Sequence, residues 1–165
     1  LSENITKTDD FILMTQSGYQ KLKDELVNLR SEGRAEIARL LEEARSFGDI
    51  SENAEYATAK DSQAKLESRI QWLEYQLSKA KLLDVSDIDC SKVTLGTTIT
   101  IEDINTSKTF EYTIVGSQES DPKNNKISSS SPVGQALMGK LVNDEVSVQV
   151  PRGERTLRIL DIKVL

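Results

Sequence analysis

Apolar residues recur at Tyr19, Leu22, Leu26, Leu29, Ile37, Leu40, Ala44 and Phe47, and again at Tyr56, Ala59, Leu66, Ile70, Leu73, Leu77 and Ala80. Steps of three and four residues are the seam of a coiled coil. Thr15 offers an N-cap, and the spacing predicts a first helix over about residues 16–46, on the order of 45 Å long. Gly33 falls on the seam at a cost of about 1 kcal/mol relative to Ala. Gly48 supplies a stop just past the last seam residue. A second helix is predicted from Ser51 or Glu52 to about Leu83, with Gln63 as a polar seam position that fixes register. The connection is short, so the two helices run antiparallel and Asp49 and Glu52 ride at the tip of a long hairpin.

The pattern changes after Leu83. Residues 84–91 are acidic and aperiodic, a hinge. Strand-like runs follow at 97–101, 109–115, 146–150 and 156–162, dominated by β-branched residues. Pro151-Arg152-Gly153 makes a tight turn, so the last two runs form a hairpin. The polar stretch 124–131 is read as a loop with a short strand around Ile127. Ser131 as N-cap, Pro132 at the first helical position and Gly139 as stop frame one short helix. The expected organisation is an α+β chain: a disordered arm or linker over 1–13, an antiparallel α-helical coiled-coil hairpin over 14–83, the hinge, and a small globular α+β domain over 92–165.

Composition narrows the class. The 37% hydrophobic content of 165 residues suits one or two small domains, and 29% charged residues suit an exposed rod. A net charge of −6 argues against a general nucleic-acid coat. One cysteine, Cys90, permits no internal disulfide and fits a reducing, cytoplasmic setting. The absence of histidine removes the commonest general base and metal ligand. No apolar run is long enough to span a bilayer, and Phe11-Ile12-Leu13-Met14 is too short for a signal peptide. A start at Leu1 rather than Met fits a chain excised from something longer.

Two readings of the tip acids compete. Asp49 with Glu52 three residues later resembles a capping box with Asp in place of Ser or Thr, and acids suit a first helical turn. Alternatively, acids at that spacing on a helical turn place their Cβ atoms about 5–6 Å apart, close enough to share a cation. Mg²⁺ takes one or two carboxylates plus waters and substrate phosphates, so a bare tip would bind it weakly alone and could complete a site in a partner.

The run Glu43-Ala44-Arg45-Ser46-Phe47-Gly48-Asp49-Ile50-Ser51-Glu52-Asn53-Ala54-Glu55-Tyr56 closely resembles the tip of the bacterial transcript cleavage factors of the GreA/GreB family. Residues 14–22 resemble that family's start, and 131–140, SPVGQALMGK, its C-terminal signature. The resemblance spans about Met14 to Leu165 and is nearer GreA than GreB, because no run of basic residues lines the coil. It implies a coiled coil followed by a domain similar to FK506-binding proteins. It also implies a factor that binds RNA polymerase at its secondary channel and inserts the coil toward the active site. In a backtracked elongation complex the tip acids Asp49 and Glu52 would help hold a shared Mg²⁺, and the polymerase would cleave its own transcript near the RNA 3′ end. The factor is thus an accessory protein and not itself an enzyme, expected as a monomer with no membrane partner.

The resemblance carries further residues. Arg45 and Lys60 are expected to contact transcript phosphates, and Asn53 and Tyr56 match the same motif, Tyr56 partly through packing. Lys65 and Arg69 read as solvated helix charge, with Asp61–Lys65 as an i,i+4 pair. Ser46-Phe47 departs from the more polar pair usual there. Ser131, Pro132 and Leu137 belong to the segment implied to dock on polymerase, with a cap and a core leucine as the plain structural alternative. Competing functions are an inhibitory homologue that plugs the channel, disfavoured by the uncharged Ile50 and Ser51, and a prolyl isomerase, disfavoured because Phe110 and Tyr112 are the only aromatics after Tyr75.

Overall fold

The computed structural model describes residues 10–49 and 52–164. Most of the expected arm lies outside the described residues. Its last part does not: Ile12–Met14 forms strand β1, which pairs with β2, Ala80–Leu82, in a two-stranded sheet. The chain divides into two compact units, one holding Tyr19–Ala80 and the other Leu13–Gly18 with Lys81–Leu165.

In the first unit the predicted hairpin is present, with a difference. The first arm is not one continuous α-helix: α1 is Gln16–Asn28, α2 is Arg34–Ser46, and Leu29–Gly33 between them is a π-helical turn. The reason is in the seam spacing. Leu22 to Leu29 is seven residues, Leu29 to Ile37 is eight, and Ile37 to Ala44 is seven. A wider turn absorbs the eighth residue and returns Ile37 to the seam. Gly33 sits there because a Cβ would come within 3.0 Å of the Leu66 side chain. Leu22, Leu26 and Ala44 are buried with Ala59, Ile70 and Leu73 of α3, Ala54–Lys79. Ion pairs join the two arms: Arg30–Glu74, Arg34–Glu67 at 2.9 Å and Arg69–Glu25 at 2.7 Å. The second helix starts two or three residues later than expected and ends at Lys79, short of the expected Leu83, where the chain turns extended to form β2.

Thr15 caps α1, its Oγ1 accepting the Gly18 N–H at 3.1 Å. The Thr15 hydroxyl and N–H in turn donate to the buried Glu119 carboxylate.

The second unit is an α+β module. Strands β3 (Thr97–Asp103), β4 (Lys108–Val115), β5 (Lys126–Ser128), β6 (Glu145–Val150) and β7 (Gly153–Val164) form one sheet in the order β5-β4-β3-β7-β6. All pairs are antiparallel except β4–β5. The β6–β7 hairpin turns at Pro151-Arg152 as expected, with Val150 opposite Gly153. Helix α4, Pro132–Leu137, lies against β5 so closely that a side chain at Gly134 would strike the Ser128 carbonyl. The core joins Val93, Ile99, Ile101, Ile114, Leu137, Val146, Val148, Leu157, Ile159 and Ile162.

Candidate functional site

At the tip, helix α2 ends in backbone bonds from Phe47 N–H to the Ala44 carbonyl (3.2 Å) and Gly48 N–H to the Arg45 carbonyl (3.5 Å). Gly48 then takes φ +123°, a conformation L side chains rarely adopt, and turns the chain away from the helix axis. Asp49 follows, Ile50 and Ser51 lie outside the described residues, and Glu52 precedes Asn53.

Asn53 is the cap of α3. Its Oδ1 accepts the N–H groups of Glu55 at 3.1 Å and Tyr56 at 3.0 Å. Its Nδ2 donates to the Ala44 carbonyl on the opposite helix. This corrects the capping-box expectation: the α3 cap belongs to Asn53, so Asp49 and Glu52 stand before the helix and not in its first turn. Both acids are exposed, and they share a hollow of about 410 Å³ with Phe47, Asn53, Ala54 and Glu55.

The cations from Arg30 to Arg69 sort into two groups. Arg30, Arg34, Arg39, Lys65 and Arg69 each meet a carboxylate, Lys65 through the expected bond to Asp61 at 2.8 Å. Arg69, expected to be merely solvated, crosses to Glu25 and also stacks 4.4 Å over Trp72. Arg45 and Lys60 differ: among the described residues neither has a carboxylate within ion-pair distance. The Arg45 guanidinium lies 5.8 Å over the Tyr56 ring, and the Lys60 ammonium donates to Gln63 at 3.2 Å. The two basic groups nearest the acids are the ones left to meet a ligand's negative charge.

Asp49 and Glu52 suit a shared hard cation in donor type, carboxylates on exposed residues. Among the described residues no group of three His, Cys, Asp or Glu side chains is arranged to hold a metal. The acids are therefore a partial donor set that needs ligands from elsewhere.

In the second unit, Ser131 caps α4, accepting the Gly134 N–H at 3.1 Å and donating to the Ser128 carbonyl at 2.7 Å. Pro132 is exposed at the first helical position. Leu137 is not available for docking: it is 0% exposed and sits in the core, because a six-residue helix lying on a sheet turns that face inward. The exposed apolar groups directly following α4 are instead Met138, Leu141 and Val142, which sequence reasoning missed because no periodicity marks a loop. Ser131 and Val133 also border a cavity of about 450 Å³ floored by Ile101, Val148 and Leu157. Phe110 and Tyr112, stacked at 6.1 Å, line it too, and Arg155 at its edge is paired with the buried Asp103 at 3.2 Å.

Residues 12–82 match the model of the N-terminal domain of transcription elongation factors, and residues 88–164 match that of the GreA/GreB C-terminal domain. The chain belongs to the GreA/GreB family of transcription elongation factors.

Transcription elongation factor GreA of Thermoanaerobacter pseudethanolicus is 49% identical over 152 residues, covering 92% of this chain and 97% of that protein. The GreA of Clostridioides difficile is 48% identical, covering 92% and 95%. The crystal structure of Gfh1, GreA factor homolog 1 of Thermus thermophilus, is 30% identical over 93% of this chain and 99% of its own, with a TM-score of 0.43, too low to bear on the fold. Among the described residues no helix is long and apolar enough to cross a membrane.

Proposed function

We propose that this elongation factor acts on bacterial RNA polymerase in a backtracked complex and stimulates the polymerase's own Mg²⁺-dependent cleavage of the transcript near its 3′ end. The observation that carries the reading is the exposed acid pair, Asp49 and Glu52, presented beyond the coil by the Asn53 cap with an incomplete donor set. A magnesium ion held there together with polymerase carboxylates would polarise the attacking water and the scissile phosphate. Arg45 and Lys60 bind transcript phosphates beside it, and Tyr56 orients Arg45 through its ring. The second unit docks on polymerase through Ser131, Pro132 and the exposed Met138, Leu141 and Val142. The factor works as a cytoplasmic monomer.

The test is a backtracked bacterial elongation complex carrying end-labelled RNA, with the factor added at millimolar Mg²⁺. Shortened transcripts within minutes are expected. Full-length RNA at saturating factor overturns the reading, and slowed extension without shortening identifies an inhibitory homologue.

A further inference from the structure

The seam periodicity assigns Phe47 to the interface between the helices, yet its side chain is 64% exposed. The geometry explains why. Ala44 is bridged to Asn53, so Phe47 lies beyond the last residue of α2 that is clamped to the opposite helix, and its ring stands at the mouth of a groove shared with Glu55, Thr58 and Ala59 of α3. The backbone that carries the ring is fixed: Phe47 caps α2 in helical conformation with its N–H bonded to the Ala44 carbonyl. Among the described residues no aromatic ring or guanidinium stacks on it.

Phe47 also borders the hollow that contains Asp49 and Glu52. Among the described residues that hollow is lined by three carboxylates, Asp49, Glu52 and Glu55, and by no cation. Such a lining repels bare phosphate and accepts a neutral planar group, while the cations Arg45 and Lys60 serve phosphates. An exposed phenyl ring beside such acids matches the stacking surfaces on which single-stranded bases rest. We infer that Phe47 is a stacking platform for a nucleobase of the displaced transcript end, a role that rests on the cleavage reading above and adds to it a contact that feels base identity.

Two measurements on one set of complexes test this. Backtracked elongation complexes ending in each of the four bases report cleavage rate, and a matched complex with 2-aminopurine as the terminal RNA base reports stacking by fluorescence quenching. Wild type, Phe47→Leu and Phe47→Trp are compared, together with competition for polymerase. The expected result is quenching by wild type and Phe47→Trp but not Phe47→Leu. Phe47→Leu should also cleave about 5- to 150-fold more slowly, the range for losing one base–aromatic contact; wild type should cleave purine ends faster than pyrimidine ends, and that difference should flatten in Phe47→Leu. Unchanged quenching and an unchanged base profile in Phe47→Leu overturn the platform. An equal loss on all four ends with weakened competition for polymerase overturns it as well, and places the ring against protein. Quenching by wild type without shortening of the RNA keeps the platform and removes the cleavage reading. Neither signal removes both.

Discussion

The side-chain amide of Asn53 spans the hairpin, donating to the carbonyl of Ala44 on one helix while its oxygen caps the other. Both halves of the amide are specified by their partners, since a carbonyl requires the nitrogen and N–H groups require the oxygen. The bond closes the two ends of the loop that carries Asp49 and Glu52. Asn53 therefore positions the acids, a role distinct from the transcript contact expected of it.

Asn53→Ala should lower the melting point of the helical signal by about 4–8 °C, from loss of a cap and an unpaired Ala44 carbonyl. Asn53→Asp keeps the capping oxygen but turns a carboxylate toward that carbonyl, so it should melt between the two. Circular dichroism melts at neutral pH are the check, and an alanine variant that melts like wild type removes the clamp.

Asp49→Ala and Glu52→Ala should each slow transcript cleavage by at least about a hundredfold through loss of a metal ligand. Both residues are exposed beyond the helices, so melting and competition for polymerase should stay near wild type. Normal cleavage by both variants would reduce the acids to electrostatic decoration of the loop.

Leu137→Ala should cost about 2–5 kcal/mol, as expected for a leucine removed from a closed core. Pro132→Ala should leave stability almost unchanged and weaken polymerase binding. Melting and binding measured on the same preparations separate the two positions, which six residues of sequence left joined.

The hydrogen bonds from the Arg34 guanidinium hold the Glu67 carboxyl below the usual carboxylate range. A depressed carboxylate stabilises the folded state above its unfolded value and loses that contribution as pH falls through the folded value. The coil should therefore melt progressively lower from about pH 5 to pH 3, and Glu67→Gln should reduce that slope. Because both groups are exposed, the difference should be small and shrink further in high salt.

The helices and strands were legible because their periods, three to four and two, run for many residues. The π turn was legible too, in the eight-residue step from Leu29 to Ile37, but the glycine inside it invited a simpler explanation. Phe47 kept the correct period past the point where its partner helix ends, and period alone does not say where a neighbour stops. In α4 nearly every residue is apolar or small, so nothing in the pattern separated Leu137, turned inward, from Pro132, turned outward. Asn53 was found as part of a motif, yet a cap and a ligand contact look alike in one dimension. The pair between the buried Asp103 and the half-exposed Arg155 gave no warning, since the two residues are 52 positions apart on neighbouring strands.

The charge arrangement along the hairpin bears on how such a rod travels. A helix flanked by uncommitted lysines and arginines would cling sideways to any nucleic acid it passed, with counterions released along its length. Here Arg30, Arg34, Arg39, Lys65 and Arg69 are each neutralised by a neighbour, so the flanks glide past polyanions. Arg45 and Lys60 alone between Arg30 and Arg69 keep their attraction, which confers adhesion on the end of the rod and leaves the sides of that stretch slippery.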